Sequence, residues 1–112
     1  CRDFAWLMVE ALRRLGYAAR FVTGYLFSPA HEQVRGAGAT HAWCEVFLPD
    51  LGWTEFDPTN ALAESPDLIP GAAARAPQDA TPVSGAIYGD PGDTRLTVHV
   101  DVRASDSLPA AA

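Results

Sequence analysis

Residues 40–60 contain two segments, THAWCEVF (residues 40–47) and GWTEFDPTN (residues 52–60), that are rich in β-branched and aromatic side chains. Between them lie Pro49 and Asp50, which are residue types that favour turns. Two strand-forming runs separated by a short turn are typical of a β-hairpin. The sequence therefore predicts two antiparallel strands running from His41 to Asp57.

The hairpin sets His41 against Asp57. Side chains alternate between the faces of a strand, so His41 and Trp43 share one face, and Trp53 and Asp57 share one face of the partner strand. A connection of three or five residues centred near Pro49 places His41 directly across from Asp57, whereas a connection of even length would break the match. Cβ atoms of such a pair lie about 4.5–5.5 Å apart, within reach of a hydrogen bond between imidazole and carboxylate.

Cys1 opens a segment that is predicted to be an amphipathic helix over residues 2–15. Asp3 lies in its first turn and Arg13 and Arg14 in its last turn, where these charges suit the helix dipole. Gly16 follows as a candidate C-cap. The apolar face is formed by residues at spacings of three and four, namely Phe4, Leu7, Met8, Ala11, Leu12 and Leu15.

Cys1, His41 and Asp57 are the residue types of a thiol nucleophile system. A carboxylate holds an imidazole in one tautomer and stabilises its protonated form, and the other ring nitrogen is then free to meet a thiol. A thiol at a helix N-terminus loses its proton more readily than a free thiol, and a neighbouring protonated His adds to that effect. The spacing alone is equally compatible with a structural cross-strand pair and with a buried Cys at a helix start.

The remaining aromatic and sulfur side chains of the hairpin have simpler interpretations. Trp43 and Trp53 either pack the hairpin or form walls of a substrate groove. Cys44 lies on the strand face opposite His41, so it is predicted to belong to the core, and both thiols are predicted to be free. No zinc-ligand spacing, phosphate-binding loop, dinucleotide fingerprint or calcium-binding loop is present in the sequence, so no metal and no cofactor is predicted.

Composition excludes several classes of function. A chain of 112 residues with 48% hydrophobic and 20% charged residues is typical of one globular domain. The net charge of −6 disfavours binding to nucleic acid and to anionic membranes. No apolar run approaches the roughly 18 residues of a membrane span. Because the chain begins with Cys rather than Met, we treat it as an excerpt or a processed product. Free thiols are compatible with the cytoplasm, and we expect a cytoplasmic location.

The rest of the chain is predicted to contain strands at residues 19–27 and 94–102, a loop at residues 28–39, and mostly irregular structure over residues 61–92, with one short strand at residues 86–88. Gly24 within the first strand indicates a bulge or a close backbone approach. Residues 94–102 show the clearest alternation of apolar and polar side chains in the sequence.

The segments CRDFA (residues 1–5), HAWCEV (residues 41–46) and GWTEFDPTN (residues 52–60) together resemble the bacterial transglutaminase-like superfamily of papain-like thiol enzymes. The resemblance implies an α+β fold in which a Cys-bearing N-terminal helix packs on an antiparallel sheet, without the upstream helical part of the family domain. It implies a catalytic core over residues 1–103, and we expect residues 104–112 to form a disordered tail.

The same resemblance implies a chemistry. Cys1 is expected to act as the nucleophile, His41 as general base and acid, and Asp57 as the residue that orients His41. Family members catalyse acyl transfer at amides, by hydrolysis, deamidation or transamidation, so the expected partner is a peptide or protein amide substrate. Two other hypotheses remain: a non-catalytic interaction domain that keeps the scaffold, and a redox-regulated thiol at Cys1.

Overall fold

The computed structural model describes residues 1–27 and 40–103. Within these ranges the chain forms one α-helix, five β-strands and one short 3-10 helix. Helix α1 spans Arg2–Arg14, strands β1 to β5 span Ala19–Leu26, Thr40–Leu48, Gly52–Asp57, Leu62–Ala63 and Leu68–Ala74, and the 3-10 helix spans Pro77–Ala80.

Helix α1 agrees with the helix predicted from the sequence. It begins at Arg2, so Cys1 is its N-cap residue and lies just outside the helix. At the other end the N–H of Gly16 donates to the carbonyl of Arg13 (3.1 Å) and the N–H of Tyr17 donates to the carbonyl of Leu12 (3.0 Å). Gly16 has a φ of +95°, a backbone conformation that side chains with a Cβ rarely adopt. This pair of bonds caps the helix and directs the chain into β1.

The strands form one antiparallel sheet in the order β4-β3-β2-β1-β5. Strand β2 is central, because it pairs with β1 on one side and with β3 on the other. The predicted hairpin is therefore formed by β2 and β3. An α+β architecture with a helix packed on an antiparallel sheet is confirmed.

The two faces of the sheet carry separate apolar clusters. One face packs against Ala5 and Val9 of α1 through a cluster that includes Phe21, Cys44 and Val46. The opposite face carries a smaller cluster formed by Val22, Leu26, Trp43 and Leu68. Since neighbouring residues of β2 point to opposite faces, Cys44 and Trp43 belong to different clusters, as the strand period requires.

Strands β4 and β5 correct the prediction that residues 61–92 are mostly irregular. The sequence of β5, LIPGAAA, contains little that favours a strand. Its extended form comes from pairing with β1, where Leu26 lies opposite Leu68 and Phe21 opposite Ala74. Because β5 is at the edge of the sheet, Pro70 can be accommodated there. The pairing shifts register between Thr23 and Gly24, which confirms the bulge predicted at Gly24.

The strands predicted at residues 86–88 and 94–102 are wrong for this structure, in which both segments are irregular. Alternation of side chains shows that a segment can serve as a half-buried strand, but a strand also needs a partner backbone. Leu96 is 82% exposed and Val98 is 49% exposed, so these side chains do not form a buried face. The predicted loop at residues 28–39 and the tail at residues 104–112 lie outside the described residues.

The apolar face predicted for α1 is wrong in part, because the helix packs on the sheet through Ala5 and Val9, which were not assigned to that face. Phe4, Leu7 and Leu15 are exposed by 55%, 66% and 74%. They recur at helical spacing on the side away from Ala5 and Val9. Thus α1 buries only one of its two apolar faces within the described residues. In this same part of the chain, no helix is long and apolar enough to cross a membrane.

Candidate active site

The turn between β2 and β3 sets the register of the site. Leu48 pairs with Gly52, so three residues, 49–51, connect the strands. The N–H of Leu51 donates to the carbonyl of Leu48 (3.1 Å), and Gly52 has a φ of +76°. A tight turn followed by a residue in the left-handed region is a common three-residue hairpin loop. The connection has the predicted length, but it is centred on Asp50 rather than near Pro49.

This one-residue difference in the centre of the turn shifts the strand pairing by two residues. Cys44 lies opposite Phe56, and extending the register by one residue puts Trp43 across from Asp57. His41 is therefore diagonal to Asp57, and the prediction of a directly opposed pair is wrong. A shift by two keeps every side chain on its original face, so His41 and Asp57 still share one face and remain within reach of each other.

His41 and Asp57 form a buried hydrogen-bonded pair. The imidazole Nε2 lies 2.8 Å from Oδ2 of Asp57, and both side chains are completely buried. The other ring nitrogen of His41, Nδ1, is also buried and has no hydrogen-bond partner within the described residues. Because Nε2–H donates a hydrogen bond to the carboxylate, Nδ1 is the nitrogen that keeps a lone pair available.

The Asp57 carboxylate is held by three groups. Oδ1 accepts the backbone N–H of Thr59 (3.0 Å), and Oδ2 accepts the side-chain amide of Asn60 (3.0 Å) besides the bond to His41. Burial by itself raises the pKa of Asp57. The hydrogen bonds from His41 and Asn60, the charge of His41 and the N–H of Thr59 together outweigh burial and lower that pKa. Asp57 is therefore a buried carboxylate that remains ionised.

Cys1 and His41 line the same cavity, which has a volume of about 220 Å³. Cys1 is exposed at the N-terminus of α1, and the far wall of the cavity is formed by Thr81 and Pro82. A second cavity of about 240 Å³ shares Thr40, Thr81 and Pro82 with the first. The same three residues also line a third cavity, of about 540 Å³. The three cavities therefore adjoin around Thr40, Thr81 and Pro82, and together they are called the trough.

Comparison with known proteins identifies the family of this chain. The family model of the transglutaminase-like superfamily matches residues 1–58, which include Cys1, His41 and Asp57. The chain belongs to the transglutaminase-like superfamily. The family assignment made from the three sequence segments is therefore confirmed.

Several curated relatives of this transglutaminase-like chain carry the name uncharacterized protein. An uncharacterized protein of Mycobacterium tuberculosis is 36% identical over 109 residues, which cover 91% of this chain and 35% of that protein. The protein-glutamine gamma-glutamyltransferase of Pseudomonas aeruginosa is 36% identical over 67 residues, covering 56% of this chain and 10% of that enzyme. The chain thus spans about a third of the length of its mycobacterial relatives. No solved structure matches it significantly.

The second thiol of the transglutaminase-like domain lies apart from the first. Cys44 is fully buried in the cluster beneath α1, and both thiols are free. Burial, followed by the charges of Glu45 and Asp57, raises the pKa of Cys44 to about 12. A buried thiol with such a pKa is not nucleophilic near neutral pH. The prediction that Cys44 is a core residue is confirmed.

The two tryptophans lie outside the cavity that contains Cys1. Trp43 is fully buried, with its ring centroid 6.0 Å from that of His41. Gly24 lies across from His41, and a Cβ on Gly24 would come within 2.8 Å of the Trp43 ring. Trp53 is 41% exposed and stacks under the guanidinium of Arg20 at 4.1 Å. Both rings pack against other side chains, and Trp53 also lines a separate cavity of about 400 Å³, so a role in a substrate groove stays a prediction.

Asn60 is the residue of this site to which the sequence did not assign a role. The DPTN segment nevertheless carried a signal, because an Asp side chain often accepts the N–H of the residue two positions later. That bond forms here between Asp57 and Thr59, and the same turn brings Asn60 to the carboxylate. Among the described residues, no three His, Cys, Asp or Glu side chains form a group suited to holding a metal ion.

Proposed function

We propose that this domain catalyses thiol-dependent acyl transfer or hydrolysis at an amide carbonyl. In this proposal Cys1 is the nucleophile, His41 the general base and acid, and Asp57 the residue that orients His41. The observation that carries the proposal is the buried bond between Nε2 of His41 and Oδ2 of Asp57, on a His that lines one cavity with Cys1. Membership of the superfamily supports acyl transfer as the class of reaction.

The proposed reaction moves one proton between sulfur and nitrogen in each half. Nδ1 of His41 takes the thiol proton, and the sulfur of Cys1 attacks the carbonyl carbon of the amide. The C–N bond then breaks, His41 gives its proton to the departing amine, and a thioester remains on Cys1. Water or a second amine attacks the thioester, loses its proton to His41, and releases Cys1. Asp57 stabilises the imidazolium in each half.

The proposed substrate is a peptide or protein amide. The trough that extends from Cys1 past Thr40, Thr81 and Pro82 can accommodate groups on one side of the amide bond. The P. aeruginosa relative is named for transfer of the glutamyl group of protein glutamine. A glutamine carboxamide is therefore a suitable first acyl donor to assay, with water and a primary amine offered as competing acceptors.

The first test is the rate at which iodoacetamide modifies each thiol as a function of pH, measured by peptide mass spectrometry on the full-length protein. We expect Cys1 to react rapidly well below pH 8.5, about the pKa of a free thiol. His41→Ala should slow the modification of Cys1 at least about tenfold, because the imidazolium partner is lost. His99→Ala is a matched control for the loss of an imidazole, since His99 lines the third cavity and not the one with Cys1, and it should leave the alkylation rate of Cys1 unchanged.

Cys44 provides an internal reference in the same experiment. Because its pKa is raised to about 12, it should remain unmodified in the folded protein and react only after denaturation. If Cys1 reacts like an ordinary thiol and His41→Ala leaves its rate unchanged, the catalytic proposal is wrong. The non-catalytic interaction domain would then be the better hypothesis. If Cys1 is activated, Cys1→Ala should abolish turnover of the glutamine substrate while the fold is retained.

A further inference from the structure

The turn that follows β3 brings the side chain of Asn60 to the catalytic pair. Nδ2 of Asn60 lies 3.0 Å from Oδ2 of Asp57 and 3.5 Å from Nε2 of His41. Oδ2 of Asp57 therefore receives two N–H donors, one from Asn60 and one from His41. Oδ1 of the same carboxylate receives the backbone N–H of Thr59.

This arrangement favours one tautomer of His41. An amide group that faces a carboxylate donates through its NH₂, so Nδ2 of Asn60 is a donor. Oδ2 of Asp57 accepts one hydrogen bond from Asn60 and one from His41. These two bonds use its acceptor capacity and hold the oxygen in place from two directions. Nε2 then carries the ring proton and Nδ1 remains the basic nitrogen. The contact of 3.5 Å between Asn60 and Nε2 is too long for a strong bond, so Asn60 acts on His41 through Asp57.

The backbone holds Asn60 in this position by a strained turn. Ala61, the next residue, has a φ of +53°, a region that residues other than glycine rarely adopt. Beyond it, the N–H of Glu64 donates to the carbonyl of Glu55 (2.9 Å), which ties the chain back to β3. Strain of this kind persists where the surrounding contacts fix the backbone, often at functional sites.

We propose that Asn60 is a positioning residue: its amide fixes the Asp57 carboxylate against Nε2 of His41 and so keeps Nδ1 as the basic nitrogen for the thiol. The inference rests on the proposed function, since the thiol is the group that His41 serves. It adds to the site a fourth residue, which does not line the cavity shared by Cys1 and His41. A substrate of any side-chain chemistry would depend on Asn60 equally.

A turn residue with no such role would give a different result in a pH experiment. Asn60→Asp has almost the same shape, but an ionised Asp cannot donate to Asp57 and repels it. When protonated, the new side chain can donate to Oδ2 as the amide does. Asn60→Leu has a similar size and no donor at any pH. The two variants therefore separate hydrogen bonding from packing.

The first measurement is the rate of Cys1 alkylation from pH 4 to pH 9 in the wild type, Asn60→Asp and Asn60→Leu. We expect both variants to be at least about tenfold slower at neutral pH, as the loss of a hydrogen bond to a charged group implies. For Asn60→Asp the deficit should shrink as the pH falls, whereas for Asn60→Leu it should persist. Equal rates in all three proteins, or the same deficit in both variants at every pH, would overturn the proposal.

The second measurement does not depend on Cys1. Carbon-13 NMR titration of the Asp57 carboxyl should show a higher pKa in Asn60→Leu than in the wild type, because one donor is lost and the burial remains. An unchanged titration in a folded Asn60→Leu protein would overturn the proposal. If instead Cys1 is not activated in the wild type but the Asp57 titration shifts as expected, the proposed function fails, while the hold of Asn60 on Asp57 stands.

Discussion

The two faces of the sheet around the central strand β2 each bury a titratable group, and the pKa values of these two groups shift in opposite directions. On the face covered by α1, burial is the largest influence on Cys44, and its pKa is raised to about 12. On the other face, burial acts on Asp57 in the same direction, yet the pKa of Asp57 is lowered. Cys44 and Asp57 are each no more than 1% exposed, so depth does not explain the difference. The difference in pKa shift follows instead from the number of hydrogen-bond donors that each group receives.

The position of each group in the hairpin determines how many hydrogen-bond donors reach it. Cys44 lies in the middle of β2, between Phe21 of β1 and Phe56 of β3, where backbone donors are used in strand pairing and the neighbours are apolar. Asp57 is the last residue of β3, and the turn beyond it provides the N–H of Thr59 and the amide of Asn60. The turn at this strand end therefore supplies the donors that keep the buried Asp57 carboxylate charged.

The largest expected effect comes from Asp57→Ala, which removes the acceptor shared by His41, Thr59 and Asn60. Leaving these buried donors without a partner should lower the free energy of unfolding by about 3 kcal/mol. Urea unfolding at neutral pH measures this loss. Asp93→Ala is the control, since Asp93 is exposed and should change stability by no more than about 0.5 kcal/mol. Equal stabilities of the two variants would contradict the importance assigned to the donor network.

A smaller effect is expected for Cys44→Ser on the opposite face. The hydroxyl would be buried beside Phe21 and Val46 without a donor or acceptor in the apolar cluster. The loss should be about 1–3 kcal/mol, seen as a lower thermal midpoint. Cys1→Ser is the matched control, because Cys1 is exposed and its replacement should leave the midpoint almost unchanged. A larger loss from Cys1→Ser than from Cys44→Ser would reverse the comparison.

The smallest effect is in the pH dependence of stability. Because the folded pKa of Asp57 is lowered, its ionisation stabilises the fold above the unfolded pKa of about 3.9, and this contribution is lost as the pH falls through the folded pKa. The free energy of unfolding of Asp57→Asn, measured by urea titration, should therefore decrease less than that of the wild type as the pH falls from 5 to 2. An equally large decrease in the variant and the wild type would contradict the lowered pKa of Asp57.

Glu55 should affect the pH dependence of stability in the opposite direction, and the same pH series tests it. Burial and the charge of Glu45 raise its pKa, so the folded state favours the protonated form. The stability gained from that form is complete below the unfolded pKa of about 4.3 and is lost as the pH rises through the folded pKa. As the pH rises through this range, the stability contributed by protonated Glu55 declines in the wild type. Glu55→Gln should not show this decline.

Local patterns were sufficient for the bounds of helix α1, for strand β1 and for the existence of the hairpin, but not for the face of α1 that packs on the sheet, which is formed by Ala5 and Val9. The Cys44 side of β2 followed from strand alternation, and Gly24 marked a bulge in β1. The register was missed by two residues because the signals for the turn, Pro49 and Gly52, fit a loop centred on Asp50 better than one centred on Pro49. Strand β5 was missed because its residues have little strand preference of their own, and residues 94–102 were misjudged because alternation says nothing about a partner.

The sequence by itself determined which residues could react: a Cys before a helix, a His and an Asp on one face of a hairpin, and a DPTN turn. These features depend on contacts between residues close along the chain, where the 3.6-residue and two-residue periods operate. Only the tertiary structure decided that Cys1 and His41 share a cavity and that Asp57 remains ionised when buried. Those outcomes depend on packing between α1 and the sheet and on the donors gathered around one carboxylate, and no local period encodes either.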